Sequence, residues 1–506
     1  MTTFGQSLRS IIIQGLDVLV KFRLILIGII TVGLGILSGH LIDSFEAGEL
    51  IISIVVMIIL MVIIINKPLN GMLVWLFFMV FFETWIKIPM GAGVPDLSFS
   101  RFTIAFLTIS MLAMAAIGKF RFARISLADL CIIATTVGIM ISAPLADHPK
   151  SVIQMAIALY FTPLVIYSFA KNLVQGREDL HKVFLTIAVL GFVSGAYAAY
   201  EHATGNILFL PKDKEVTYVF RGDTDIRLIV GLMGGSGEMG RALATAIPVT
   251  FYLFLEYKKT DIRKILLAGM LVAQFYGIVV AMSRTPWYAL LIALFIMQFF
   301  YPQFRKVFFI IVLVAAILIW ATWDQVSESK AASRINDKGS TLEGRQERWR
   351  AGYNMWRVKP IRGWGFGRYA EESGRFRTDG NRRNFVAVEN DYLYTLVGSG
   401  LIGFLPYLLF LLTPLVNSLR LFFRTRSPDW SGFIKTETIA VYWAVILCLT
   451  IASYTARQVQ PALKLMVFAV AGAVVGTHEH WLRGSRAKKR SVTNSLRFQL
   501  QLEQKR

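Results

Sequence analysis

Long apolar runs recur along the whole chain, and they restrict its fold more than any other feature. Such runs occupy residues 51–65, 266–282, 307–322 and 401–415, and none of these contains a charged residue. Hydrophobic residues make up 55% of the 506 residues. Each run reaches or approaches the roughly 20 residues that cross a bilayer as a helix. The sequence therefore predicts an all-α fold, a polytopic bundle of transmembrane helices.

The apolar runs correspond to about fourteen predicted spans. They lie near residues 24–42, 50–65, 71–88, 102–117, 128–145, 152–170, 180–201, 239–256, 264–282, 286–301, 306–323, 391–416, 437–454 and 461–477. Spans 1–11 fall within 24–323 and spans 12–14 within 391–477, so we predict one integral-membrane domain over residues 1–506. The first run lacks a small-residue cleavage site, so we expect a retained span rather than a signal peptide.

The chain is strongly basic, with a formal net charge of +21. In a soluble protein this would suggest nucleic acid, but no nucleic-acid motif accompanies the charge. In membrane proteins lysine and arginine collect in cytoplasmic loops, and here they concentrate in alternate loops and in the tail 482–506. This pattern predicts a membrane protein with both termini in the cytoplasm and no nucleic-acid partner.

Two polar segments, 203–238 and 324–390, fall on the external side in this orientation. Arginine dominates the second segment. Arginine grips phosphate and carboxylate groups through two parallel hydrogen bonds, which suggests an anionic partner. A solvated basic loop that escapes the charge bias is the alternative. Within this segment Trp349, Tyr353 and Trp356 recur at helical spacing before Lys359-Pro360, which predicts a helix at the membrane interface.

Four motifs follow one another between residues 225 and 415. They are Arg227-Leu-Ile-Val-Gly231 through Gly240-Arg241; Ser283-Arg284; Gly344-Arg345-x-x-x-Trp349 with Lys359-Pro360-Ile361-x-Gly363-x-Gly365-x-Gly367; and Glu389-Asn390-Asp391-Tyr392-Leu393 with Gly398-x-Gly400-Leu401-Ile402-Gly403. In this order, and on one predicted side of the membrane, they resemble the O-antigen ligase/polymerase superfamily.

The resemblance implies an integral-membrane glycosyltransferase of the GT-C type. Such enzymes use glycans carried on undecaprenyl pyrophosphate, and the transfer is inverting and requires no metal or other cofactor. Ligases move a finished glycan onto lipid A-core, some relatives onto protein, and polymerases extend one carrier-linked chain with another. The implied partners are the lipid-linked donor, a glycan or lipid acceptor and membrane lipids. The implied location is the bacterial inner membrane. The implied active site is periplasmic, where arginines hold the pyrophosphate and a base activates the acceptor hydroxyl.

The chain departs from the family at one position. Where the family has a histidine before the asparagine, this sequence has Glu389. Because the ligases rely on that histidine, we predict a polymerase of an exopolysaccharide or O-antigen-like glycan, with a ligase as the alternative. A carboxylate can still act as the general base toward a sugar hydroxyl.

The resemblance and the position of charged residues together nominate a site. Glu389 and Arg284 are the candidate catalytic residues. The candidate binding residues for the pyrophosphate and glycan are Arg227, Arg241, Arg345, Arg348, Asn390 and Asp391. Each has an ordinary structural alternative: an arginine at a span end can snorkel to the interface, an acid at a helix start interacts favourably with the helix dipole, and asparagine is a common N-cap. Arg345 and Arg348 can face one ligand because they lie three residues apart on a helix.

A transporter or flippase for a lipid-linked substrate is the competing hypothesis. Transporters combine internal repeats with ionisable residues at mid-membrane. The two halves of this chain have no clear repeat, and Glu83 lies near the end of its predicted span. Cys131 and Cys448 lie inside apolar runs, and the absence of C-x-x-C and H-E-x-x-H motifs argues against a metal site.

Overall fold

The computed structural model describes residues 45–83, 87–88, 96–143, 149–207, 218–221, 224–258, 261–321, 339–427, 430, 432–457 and 461–476. The predicted first span and the basic tail lie outside these residues, as does the part of segment 324–390 that precedes residue 339. The chain divides into two compact units, Met1–Phe122 and Ala123–Arg506.

The first unit contains the helices α1 (Phe45–Asn66), α2 (Pro68–Phe82) and α3 (Phe99–Ala116), with an antiparallel pair β1 (Lys87–Ile88) and β2 (Leu97–Ser98) between the last two. The predicted span 71–88 is too long, because α2 ends at Phe82 and β1 follows. The Glu83 carboxylate accepts hydrogen bonds from the Ser98 hydroxyl (2.9 Å) and the Ser100 backbone N–H (3.0 Å). This acid therefore joins the end of α2 to the start of α3.

The second unit contains most of the helices. They are α4 (Leu127–Ser142), α5 (Pro149–Ala156), a π-helical turn (Ile157–Phe161), α6 (Thr162–Leu173), α7 (Arg177–Thr204), α8 (Ser236–Glu256), α9 (Ile262–Val280), α10 (Arg284–Phe300), α11 (Pro302–Ala321), α12 (Gly339–Val358), α13 (Arg368–Glu372), a 3₁₀ turn (Ser373–Phe376), α14 (Asp391–Thr425), α15 (Thr436–Thr455) and α16 (Ala462–Gly476). One antiparallel pair, β3 (Tyr218–Arg221) and β4 (Thr224–Arg227), precedes α8.

The helices confirm an all-α membrane protein. Among the described residues, six helical segments are long and apolar enough to cross a membrane: Phe99–Ala116, Val152–Leu173, Arg177–Thr204, Ile262–Val280, Asp391–Thr425 and Thr436–Thr455. Shorter apolar helices coincide with further predicted spans. Every predicted span from the second onward coincides with a helix, and the total of about fourteen spans stays a prediction.

Ring contacts and hydrogen bonds establish the direction of the main helices of the second unit. At the end of α10, the Phe300 ring lies 5.4 Å from Phe422, near the end of α14, and 5.0 Å from Trp443, near the start of α15. Near the end of α8, Tyr252 accepts a hydrogen bond from Thr438 of α15 (3.3 Å). The starts of α8, α10 and α14 and the end of α15 therefore share the opposite end of the bundle, here called the site end.

Helix α14 is broken near the site end. Gly400 has φ 59° and ψ −164°, so the helical hydrogen bonds around it are lost. The segment 360–365 lies in the break, and its backbone groups replace the lost hydrogen bonds. Four backbone hydrogen bonds join the two: Trp364 N–H to Val397 O (2.8 Å), Gly365 N–H to Gly398 O (2.9 Å), Leu401 N–H to Pro360 O (2.9 Å) and Ile402 N–H to Ile361 O (3.2 Å). Irregular backbone at membrane depth requires such partners within the protein.

Candidate active site

Glu389 precedes the first residue of α14 by two positions and has an unusual backbone. Its φ is 53°, a conformation that costs a non-glycine residue about 1–3 kcal/mol. Both neighbours hold it there. Val388 is fully buried, and the Asn390 side chain caps α14 by accepting a hydrogen bond from the Leu393 N–H (2.9 Å). Strained residues fixed by their surroundings cluster at active sites and ligand clamps.

Two arginines of α12 bind the Glu389 carboxylate. Arg345 Nε lies 3.1 Å from Oε2, and Arg348 contacts Oε1. The Arg348 carbonyl also accepts a hydrogen bond from the Tyr369 hydroxyl (2.9 Å), whose pKa is raised by burial, so that it remains a neutral donor. The Glu389 side chain is nevertheless 34% exposed. The cluster of Glu389, Arg345 and Arg348 is therefore ordered before any ligand arrives and accessible to one.

A glycine allows α12 to approach the start of α14. Gly352 lies one turn beyond Arg348, and a Cβ atom there would be 3.0 Å from Val388 Cγ2 and 3.1 Å from Leu393 Cδ2. These distances are shorter than ordinary van der Waals contact. The bare backbone of Gly352 thus brings the arginine face of α12 to Glu389.

Asn390 and Asp391 are buried beside this cluster. Asn390 is 7% exposed and acts as the N-cap. Asp391 is 1% exposed, and its Oδ2 lies 2.7 Å from the ammonium group of Lys464, also buried. The structure therefore gives both residues, which the sequence nominates as ligand-binding, contacts that anchor the helix start.

Sequence reasoning missed Lys464. It lies in α16, where its ammonium group is 4.4 Å from the ring centre of Tyr160 and 5.6 Å from that of Tyr407. Such an aromatic environment stabilises a cation that also has a carboxylate partner. The available signal was a lysine inside an apolar run, because charges inside spans are expensive and are almost always paired.

Arg241 and Arg284 lie at two neighbouring helix starts of the site end. Arg241, in the first turns of α8, is 7% exposed and pairs with Glu238 (2.7 Å). Arg284 is the first residue of α10, and no ion pair joins it to the described residues. The two starts are in contact, since a Cβ on Gly240 would lie 2.8 Å from Pro286 Cγ.

The loop before α8 is held by a buried acid. The Glu201 carboxylate, at the end of α7, accepts the backbone N–H groups of Val230 (3.0 Å) and Gly231 (2.9 Å). Arg227 precedes this loop as the last residue of β4, where it pairs with Tyr218 in the strand register. The Arg227 side chain lies outside the description, so its predicted role stays a prediction.

Seven of the eight sequence-predicted residues, all but Arg227, thus form two groups at one end of the bundle. Glu389, Arg345 and Arg348 are in direct contact, with Asn390 and Asp391 beneath them. Arg241 and Arg284 lie at adjacent helix starts. Within the described residues, no three His, Cys, Asp or Glu side chains are grouped as a metal site would require.

Comparison with known proteins adds a family. Residues 269–408 match the family model described as O-antigen ligase. This part of the chain is similar to the O-antigen ligase family. The result confirms the resemblance to the O-antigen ligase/polymerase superfamily. The matched region includes Arg284, Arg345, Arg348 and the motif that begins at Glu389, whereas Arg227 and Arg241 precede it.

The match to the O-antigen ligase family and the apolar helices together support a membrane protein with a glycosyltransferase-like function in O-antigen or polysaccharide assembly. The family implies a lipid-linked glycan and an acceptor as partners. No curated protein sequence matches the chain.

Proposed function

We propose that this protein is an inverting glycosyltransferase of the bacterial inner membrane, which joins polysaccharide repeat units on the periplasmic side. Its donor is a glycan linked to undecaprenyl pyrophosphate, and its acceptor is a second carrier-linked glycan. The observation that carries the proposal is the ordered, accessible cluster of Glu389, Arg345 and Arg348 at a helix start, inside the region that matches the O-antigen ligase family.

In the proposed reaction an acceptor hydroxyl oxygen attacks the anomeric carbon of the donor glycan. The new glycosidic bond forms as the bond from that carbon to the pyrophosphate oxygen breaks, and undecaprenyl pyrophosphate leaves with the electron pair. Glu389 accepts the hydroxyl proton. A positioned base of this kind typically contributes about 10²–10⁴-fold to the rate. Attack from the face opposite the leaving group inverts the anomeric configuration.

The two arginines leave Glu389 able to act as a base. A carboxylate offers about four lone-pair directions, and Arg345 and Arg348 each engage one oxygen. A hydroxyl can therefore reach a remaining lone pair through the exposed part of the side chain. The guanidinium groups also orient the carboxylate, so that little motion is needed when the acceptor binds.

The second group of residues supports binding of the leaving group. Arg284 opens α10, where backbone N–H groups and the helix dipole favour an anion. Arg241 adds positive charge at the adjoining helix start, and Glu238 holds it in place. Groups that are fixed in place before the reaction stabilise the charge that develops on the departing pyrophosphate without having to reorganise. We assign this role to Arg284, aided by Arg241 and Arg227.

Ligase activity, in which the finished glycan passes to lipid A-core or protein, is the second candidate. The description of the matching family model favours it. Glu389 in place of the family's histidine favours the polymerase.

A deletion strain separates the two activities. If the protein is a polymerase, the strain makes single repeat units and no polymer. If it is a ligase, full-length polymer accumulates on the lipid carrier. Normal polymer attached to its usual acceptor would contradict both, and loss of repeat units from the periplasm, with their accumulation inside, would indicate a flippase instead.

A further inference from the structure

An open groove of about 460 Å³ runs along α12 beside the Glu389 cluster. Its lining combines aromatic rings with amide, hydroxyl and guanidinium groups, contributed by Gln346, Trp349, Arg350, Tyr353, Asn354 and Thr378. The cluster itself uses a different face of the same helix. The groove is therefore a separate surface next to the proposed catalytic residues.

The aromatic side chains of the groove present flat surfaces of the kind that stack on sugar rings. Tyr353 is 50% exposed and is supported from behind by Trp356, with ring centres 5.5 Å apart. Trp349 packs on Tyr454 at the end of α15, with ring centres 5.3 Å apart. Both rings are thus held in position without being covered, which lowers the entropy lost when a ligand binds.

One buried donor of the groove has no partner. Trp349 Nε1–H is shielded from solvent, and no acceptor among the described residues bonds to it. A buried donor without a partner is unfavourable, because it has lost its hydrogen bonds to water and gained none in return. Because this atom is shielded, a ligand hydroxyl in the groove accepts the hydrogen bond only if the Trp349 ring turns toward it, and an acyl chain has no acceptor to offer.

The other polar groups are pre-arranged. Asn354 donates its Nδ2–H to Phe376 O (3.1 Å), which fixes the amide and leaves its Oδ1 as an acceptor. The Thr378 hydroxyl donates to Glu347 Oε2 (2.8 Å), so toward a ligand its oxygen can act only as an acceptor. Acceptors, an N–H donor and a guanidinium group side by side match the alternating hydroxyl groups of a saccharide.

The groove is close enough to Glu389 to hold a chain whose end reacts there. Trp349 follows Arg348 directly, and Tyr353 lies five residues beyond Arg348, or about 8 Å along the helix axis. We propose that this groove binds the oligosaccharide of the acceptor, one or two sugar units back from the hydroxyl that attacks. The assignment rests on the proposed function, because it is Glu389 as the base that makes the neighbouring saccharide the acceptor.

Binding of free oligosaccharide tests the groove without requiring catalysis. The probe is the oligosaccharide released by mild acid hydrolysis from the producing cell's own polysaccharide, titrated calorimetrically into the full-length protein in lipid nanodiscs. Tyr353→Ala should raise the dissociation constant about tenfold, and Trp349→Phe, which keeps a ring but removes the N–H, about threefold. Arg357→Ala, an exposed change on the same helix outside the groove, should leave it unchanged. Equal affinity in all four proteins would overturn the proposal.

A spin label separates a saccharide site from a lipid contact. Cys131 and Cys448 are buried, so the thiol of Tyr353→Cys takes the label in the otherwise native chain. We expect a water-soluble nickel chelate to reach the label and the oligosaccharide to reduce that access. A label that responds to oxygen rather than nickel, and is unaffected by oligosaccharide, means that this face of α12 lies in lipid and the groove is not a saccharide site.

The two proposals fail in different ways. If Glu389→Gln retains full transfer activity while Tyr353→Ala still weakens oligosaccharide binding, the base assignment is wrong and the groove is a saccharide site without an assigned acceptor. If Glu389→Gln is inactive while the groove variants bind the oligosaccharide normally, the proposed function is supported and the groove assignment is wrong.

Discussion

At the scale of single residues, two acidic side chains at the start of α14 are both paired with basic residues but differ in their exposure to solvent. Glu389 shares its charge with two arginines and remains accessible, whereas Asp391, two positions along, is sealed against Lys464. These two acids, which lie close together at the start of one helix, therefore have different roles. The first is suited to substrate chemistry, and the second anchors α16 to the start of α14.

The Asp391–Lys464 pair predicts a specific stability pattern. Lys464→Met should lower the thermal unfolding midpoint sharply, because it leaves a buried carboxylate unpaired, at a cost of about 3–5 kcal/mol. Asp391→Asn combined with Lys464→Met should recover most of the loss. Thermal unfolding in detergent, followed by circular dichroism, measures both.

The exposed pair Lys182–Asp179 supplies the matched control. Its atoms are 3.4 Å apart, but Lys182 is 48% exposed. Lys182→Met should change stability by less than about 1 kcal/mol. A Lys464→Met protein as stable as wild type would show that the buried pair has no anchoring role.

The prediction for Arg284 concerns the shape of its guanidinium group rather than its positive charge. Arg284→Lys should lose transfer activity nearly as completely as Arg284→Ala, because lysine lacks the planar fork that binds two phosphate oxygens at once. Polymer length in cells, normalised to the amount of protein in the membrane, measures this. Full polymer synthesis by Arg284→Ala would remove Arg284 from the site.

The residue contacts could be predicted only in part from the sequence. The order of the motifs indicated Glu389, Arg345 and Arg348, and their common side followed from the charge pattern. The pairing of Asp391 with a lysine 73 positions away could not be predicted, because helix packing and not local spacing determines it.

At the scale of helices and loops, the break in α14 explains two glycine motifs together. Gly398, Gly400 and Gly403 are small residues of the kind that allow helices in membranes to pack closely. Gly403 does pack closely, since a Cβ on Gly138 of α4 would lie 2.7 Å from its Cα. Gly400 has a different role: it lies where the helix is broken, and the backbone of the segment from Pro360 to Gly365 occupies the break. Apolar periodicity predicts helices well, but it does not reveal a helix broken to receive another segment.

The break predicts the effect of one added methyl group. Gly400→Ala places a Cβ 2.2 Å from Ile361 O and at φ 59°, so the inserted segment must move and α12 with it. We expect loss of transfer activity and a lower unfolding midpoint. Gly269→Ala in α9 is the control, because a Cβ there meets nothing within 4 Å and alanine favours the helix by about 1 kcal/mol. Equal behaviour of the two variants would contradict the structural role of the break.

At the scale of the whole molecule, the central question is which side of the membrane the site end faces. The parallel starts of α8, α10 and α14 bring both groups of candidate residues to one end of the bundle. The distribution of lysine and arginine predicts that this end is periplasmic and that both termini are cytoplasmic. The apolar runs were sufficient to predict the class of fold, because spanning helices need little more than length and hydrophobicity.

Reporter fusions test the orientation. A periplasm-active phosphatase fused after Lys338 should be active, and the same reporter fused after Ser491 should be inactive. A cytoplasm-active reporter at the same two positions should give the reverse pattern and controls for expression. Phosphatase activity of the fusion at Ser491 would contradict the proposed topology. It would also mean that the site end does not face the periplasm, where the proposed substrates are.

The most direct test of the account is transfer by purified Glu389→Gln. The substitution keeps the shape of the side chain and removes its basicity, so we expect a loss of about 10²–10⁴-fold in the transfer rate with donor binding retained. Glu389→His should recover part of the rate, and Glu343→Gln, an exposed change on α12, should retain all of it. Transfer by Glu389→Gln at the wild-type rate would contradict the account, because Glu389 would then only position Arg345 and Arg348 at the start of α14.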